Sequence, residues 1–273
     1  MKNFGLLLLG SLFIHACSPS GKITENKSDQ PTYNRHPDES AVLWQQTAAE
    51  YDALCYQAFN SALNWLDYNN DDYEVSKRPL TIVMDLDETV LDNSPYNAQL
   101  ILDGKSYSQE SWSDWTTRTE AKLVPGAAEF IASALNRGYQ IYYISNRSAD
   151  EADWTVRNLS IHGINVEYDH VLLDETGTGE KAERRQQVAN SNEVIMFIGD
   201  NLADFGDFFE EEMTVTERKN LTSEYNKSFG SKFIVLPNPM YGKWDSTLKE
   251  RDKEYPTNSQ YNDRRSFLKG YKD

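Results

Sequence analysis

The chain is short of positive charge, of cysteine and of long apolar runs, and each shortage removes a class of protein. Its 273 residues carry 27 Lys and Arg against 43 Asp and Glu, a formal net charge of -16. A nucleic-acid-binding surface needs a basic face to neutralise phosphates, so binding to a nucleic-acid duplex is not expected. An anionic substrate would have to meet positive charge that is strictly local. Of the two cysteines, Cys55 lies in "YDALCYQAFNSAL", an apolar stretch with helical spacing. It reads as a small buried hydrophobe, not as a nucleophile or disulfide partner. The apolar run from Phe4 to Ile14 is too short to span a bilayer comfortably. No internal repeat is visible, and the length suits one α/β domain with extensions.

The first residues, "MKNFGLLLLGSLFIHAC", combine basic Lys2, an apolar stretch and a small residue just before Cys17, which reads as an export signal. "IHAC" resembles the lipobox of bacterial lipoproteins. That resemblance implies cleavage before Cys17 and lipidation of its thiol, against the plainer reading of an ordinary cleaved signal with Cys17 incidental. It also implies an exported chain, anchored by lipid to a bacterial membrane: outer membrane, periplasm or cell surface. Residues 18–39 are polar and turn-rich and read as a flexible tether between membrane and domain.

The remainder, 40–273, reads as one domain. Its helical N-terminal part, 40–76, repeats apolar residues at Val42, Leu43, Ala49, Leu54, Ala58, Ala62, Trp65 and Leu66, predicting one long helix or two. "LTIVMDL" is a continuous apolar run bounded by charge, the mark of a central parallel strand covered on both faces. The same signature returns at "YQIYYISN", "HVLLD", "VIMFIGD" and "KFIVLPN". Between these runs lie helical stretches, one with Pro125 in its first turn and Gly138 at its end. Strand and helix alternate over about 77–245, which predicts a doubly wound, mainly parallel α/β sheet flanked by helices. An insertion at 97–124, long for a crossover, reads as a lid or specificity element. With the N-terminal helices and the charged extension at 246–273 it forms a smaller, mainly helical region.

In such sheets reactive groups gather where the strands end. Those ends here carry Asp85 and Asp87, then Ser145, then Lys181 at a helix start, then Asp200 and Asp204. Acids alone would repel one another and some would stay protonated. A hard divalent cation removes the conflict: Mg²⁺ takes carboxylate, carbonyl and water oxygens and shares its shell with a substrate phosphate. Lys181 would add the remaining positive charge.

"DLDET" after an apolar strand, Ser145 in "YYISNR", Lys181 in "GEKAERR" and "GDNLAD" after "VIMFI" resemble the four ordered motifs of the haloacid dehalogenase superfamily. More narrowly, "IVMDLDETVLDNSPY" and "IMFIGDNLADF" resemble the paired signatures of class C bacterial acid phosphatases, over about residues 40–250. The resemblance implies a nonspecific phosphomonoesterase or nucleotidase that works below neutral pH. It makes Asp85 a nucleophile that forms an aspartyl phosphate, and Asp87 a general acid and then base. It gives Mg²⁺ to Asp85, the Asp87 carbonyl and Asp200, with Asp204 direct or through water. It sets Ser145 and Lys181 on the phosphoryl oxygens, with Asn93, Asn146 and Arg147 in matching substrate-binding loops. By position, Trp112 and Tyr241 match an aromatic pair that holds a nucleotide base, although six Trp and sixteen Tyr include many that serve only as core or surface.

Each residue also has a plainer use. Asp87, Glu88 and Thr89 suit a helix start, Asp200 and Asn201 a turn, and Lys181 a solvated helix face; it is the ordered set that favours chemistry. Glu88 reads as structural. A phosphatase of non-nucleotide phosphomonoesters and a non-catalytic surface binding protein on the same fold remain as alternatives. The oligomeric state is open, a homodimer included.

Overall fold

The computed structural model describes residues 38–69, 77–248 and 267–271. The export signal, Cys17, the tether up to residue 37 and most of the C-terminal extension lie outside the described residues.

Two helices lead the domain. α1 (Glu39–Thr47) and α2 (Ala49–Asn69) are parted at Ala48, where the backbone turns extended. The buried stripe of α2 is Tyr51, Cys55, Phe59, Ala62 and Leu66, at the spacing of one helix face. Two residues at the helical spacing lie off the buried faces: Leu43 is 47% exposed, with Val42 and Gln45 buried on α1, and Leu54 is 41% exposed, beside the stripe through Tyr51, Cys55 and Phe59. Cys55 is fully buried in the core and pairs with no other cysteine.

β1 (Leu80–Met84) is the middle strand of a five-stranded sheet ordered β5-β4-β1-β6-β7. Its neighbours β4 (Gln140–Ser148) and β6 (Glu193–Gly199) both run parallel to it, with Ile82 opposite Ile141 and Met196. β5 (Val171–Asp174) and β7 (Phe233–Val235) complete the sheet, also parallel. Ile82, Val83 and Met84 are all buried, as a strand covered on both faces requires. The chain winds outward to one side of β1 and then to the other, so a crevice opens at the carboxyl ends of β1, β4 and β6.

Helices α5 (Ala127–Asn136), α6 (Ala152–Ile161), α7 (Ala182–Ser191) and α8 (Val215–Glu224) link or flank these strands, and α9 (Lys243–Ser246) follows β7. Pro125 stands ahead of α5 and not within its first turn. Gly126 caps the helix at φ 88°, where an added Cβ would come 3.0 Å from Phe59, so both the dihedral and the space demand glycine. The polar stretch after Glu212 holds α8, which starts on a reciprocal Thr214–Glu217 capping box.

The insertion begins earlier than its polar composition suggests. α3 (Ser94–Asp103) has Pro95 in its first turn, and α4 (Gln109–Thr116) follows. A two-stranded antiparallel ribbon, β2 (Leu91–Asp92) with β3 (Lys122–Leu123), closes the base of the insertion. Two-residue strands are too short to show alternation, so the ribbon has no sequence signature.

Candidate active site

The backbone places the first carboxylate. Asp85 follows β1, and its N–H donates to Ile198 O at 2.9 Å, extending the β1–β6 ladder by one bond. Its side chain, 7% exposed, accepts from Lys181 Nζ at 2.5 Å. Lys181 caps the start of α7 and is itself buried; Nζ also donates to Asp204 Oδ1 at 2.6 Å, while its backbone N–H is held by Glu210 at 2.8 Å. The second Asp204 oxygen accepts from Asn201 N at 2.9 Å. Asp200 accepts from Asn238 Nδ2 at 2.8 Å and lies 3.5 Å from the Thr89 hydroxyl. Oxygens of Asp85, Asp200 and Asp204 all lie within 4.8 Å of one another.

Three acids around one ammonium are out of balance. Burial pushes the Asp85 carboxyl up to about 7, against the opposing pull of Lys181. Burial, then Asp204 and Asp85, hold Asp200 well above the usual carboxylate range. Burial alone would lower the Lys181 ammonium, yet Asp204 and Asp85 raise it, so it stays charged. An all-oxygen donor set with surplus negative charge suits a hard divalent cation.

Asp87 sits in a different environment. Arg147, 2% exposed, reaches its carboxylate through Nε at 3.0 and 3.1 Å and Nη2 at 2.7 Å. Ser145 Oγ adds a bond of 3.1 Å and Asn93 Nδ2 one of 2.8 Å. Next to it, Glu88 adopts a left-handed φ of 62° and is fully buried, its Oε1 accepting from Asn93 N at 2.8 Å. That bond fastens the turn after β1, the structural use expected of Glu88. Strain of this kind in a non-glycine residue clusters at functional sites.

A family model for the HAD superfamily, subfamily IIIB (acid phosphatase), matches residues 18–244. The chain belongs to this acid phosphatase family. A solved class C acid phosphatase from Bacillus anthracis with tungstate bound is 36% identical, with a TM-score of 0.79 over 86% of this chain and 97% of its own. A second structure of that class from the same organism gives 36% identity and a TM-score of 0.78 at the same coverage. A stem 31 kDa glycoprotein of Glycine max is 21% identical over 75% of this chain and 72% of its own length. The acid phosphatase shares the haloacid dehalogenase-like fold of its solved relatives, and its carboxylate cluster suits the metal dependence of the superfamily.

The cleft over these carboxylates measures about 1220 Å³ and is lined by Asp85, Asp87, Asn146, Arg147, Lys181, Asp200 and Asp204. Trp112 and Tyr241 also line it, joined by Tyr96 and Tyr107. The Trp112 ring meets the edge of Tyr96 at 5.2 Å between centroids and carries the Arg147 guanidinium 5.8 Å from its centre. Asn146 is exposed at the rim, where its Oδ1 accepts from Arg184 at 2.8 Å. Asn93 and Ser145 are fully buried behind Asp87, and each donates a side-chain hydrogen bond to that carboxylate. Sequence reasoning missed Asn238, whose only signal is an asparagine in the loop after the last strand, and Trp115, whose indole N–H donates to Asn93 Oδ1 at 2.8 Å.

Proposed function

We propose that this acid phosphatase is a Mg²⁺-dependent phosphomonoesterase that works through an aspartyl phosphate on Asp85 and accepts nucleoside monophosphates. The observation that carries the reading is the Lys181 ammonium, bonded at once to Asp85 and Asp204 beside Asp200 in the cleft. Asp85, Asp200 and the Asp87 carbonyl would hold Mg²⁺, with Asp204 direct or through water, and the bound ion would neutralise charge on the phosphoryl oxygens.

The protein's own groups then divide the reaction. An Asp85 oxygen attacks phosphorus in line as the bond to the leaving oxygen breaks, and Asp87 delivers a proton to that oxygen. In the second half Asp87 takes a proton from water. The water oxygen bonds to phosphorus, the bond from phosphorus to Asp85 breaks, and inorganic phosphate leaves with the carboxylate restored. Lys181 stabilises charge on the transferring group, and the Ser145 hydroxyl turns from Asp87 to a phosphoryl oxygen. Trp112 and Tyr241 offer ring faces to a base, which tolerates any base because each has a π face. Export and lipid anchoring at Cys17 complete the proposal and rest on the N-terminal sequence.

The test is a substrate panel on protein lacking residues 1–17. Wild type should hydrolyse an aryl phosphate and nucleoside monophosphates below neutral pH and lose activity when chelated. Asp85→Asn should lose it by about a thousandfold or more, and retained activity there would sink the mechanism. Trp112→Ala should raise KM for nucleotides well beyond its effect on an aryl phosphate; equal effects remove the base-binding role.

A further inference from the structure

Trp115 and Trp112 lie three residues apart on α4, yet they do different things. Trp112 lines the cleft, whereas Trp115 packs against the hydrophobic core. From there its indole Nε1–H donates to Asn93 Oδ1 at 2.8 Å, and Asn93 Nδ2 donates to Asp87 Oδ1 at 2.8 Å. A side-chain amide can present either end to a neighbour, and an indole nitrogen can only donate. Trp115 therefore fixes Asn93 with its oxygen outward and its NH₂ on Asp87; the flipped amide would set donor against donor and oxygen against carboxylate. Three further bonds keep this relay in place. Asn93 N is held by Glu88 Oε1 at 2.8 Å. α4 is tied to the end of β4 through buried Glu151, which accepts from Thr116 Oγ1 at 2.5 Å and Ser148 N at 3.0 Å.

We infer that Trp115 is a positioning residue for Asp87, acting through Asn93, so that the insertion serves the proton transfer as well as the leaving group. The inference rests on the proposed acid and base role of Asp87. Because Trp115 is not among the residues lining the cleft, its loss should lower kcat without changing KM, and more for an alkoxide leaving group, which needs the proton from Asp87, than for an acidic phenol.

Trp115→Phe keeps most of the bulk and removes the N–H. Its kcat should fall about tenfold for a nucleoside monophosphate, as a modest misplacement of a reacting group does, and less for an aryl phosphate, whose phenol leaves with less help from an acid, with KM unchanged for both. Asn93→Ala should fall at least as far, and the double variant no further than Asn93→Ala, since the two residues act in series. A purely structural Trp115 would lower the melting temperature and leave kcat per folded molecule at the wild-type value. That result, or losses that multiply in the double variant, overturns the inference. If Trp115→Phe does not fold, Asn93→Asp carries the test: it keeps the acceptor for the indole and turns the donor facing Asp87 into an oxygen, so wild-type kcat there overturns the inference too. Asp87→Asn separates the two levels. Full activity in it defeats the role given to Asp87, whereas an inactive Asp87→Asn beside an unaffected Trp115→Phe defeats only the relay.

Discussion

At the residue level, Asp85 is pulled in two directions, with burial raising its carboxyl toward about 7 and the Lys181 ammonium opposing the rise. A raised carboxyl means that the folded protein keeps a proton the unfolded chain has released. The associated stability is present below the ordinary value of 3.8 and is lost as pH climbs to about 7. Metal-stripped wild type should therefore lose melting temperature across that interval more steeply than Asp85→Asn, which has no such proton to lose. At the proposed Mg²⁺ site protons and the ion would compete for the same oxygens, so added Mg²⁺ should raise the melting temperature more near neutral pH than at about pH 5. Thermal melts of the two proteins with and without chelator decide it. A wild-type profile that rises with pH relative to the variant would contradict the account.

Single elements carry constraints that no one side chain reveals. β6 ends at Gly199, and a Cβ there would collide with the Asp204 carboxylate. Gly199→Ala should push Asp204 away from Lys181, destabilise the fold by about 1–3 kcal/mol as overpacking does, and lower kcat; a denaturant melt and a rate assay read both. An unchanged rate would mean that Asp204 does not steady the lysine. The five sheet strands were legible in the sequence because burial on both faces makes each a continuous apolar run. The polar residues at their ends were legible for the same reason, as exceptions to the run. The β2–β3 ribbon, the early start of α3 and the exposure of Leu43 and Leu54 were not, since two residues show no period and apolar spacing alone does not mark where a buried face ends. Trp112 and Trp115 look alike in the sequence, and only packing sends one to the cleft and the other to the core. Asn238 was hidden because its partner, Asp200, is near in space and distant along the chain.

The whole molecule sets the field through which a substrate must travel. With a net charge of -16, the protein repels a dianionic phosphate at long range and attracts it near the cations of the cleft, Lys181, Arg147, Lys105 and Lys243 among them. Screening weakens the long-range part first. At saturating Mg²⁺, kcat/KM for a phosphomonoester should therefore rise modestly as ionic strength increases from about 0.01 to about 0.15 M, where the Debye length shrinks from about 30 to about 8 Å. A fall would show that the local cations dominate even at a distance. The place of β1 at the centre of the sheet also orders events in time. Both of its partners come later in the chain, first β4 and then β6. During synthesis the apolar segment Leu80–Met84 waits for its first partner until residues beyond Ser148 have emerged and keeps one edge open until residues beyond Gly199 follow, and pairings so distant along the chain form slowly. The Asp85 and Asp200 carboxylates cannot meet before that moment, so capture of a metal ion would report the closing of the sheet, and a nascent chain halted before β6 would have neither a stable centre nor a place for the ion.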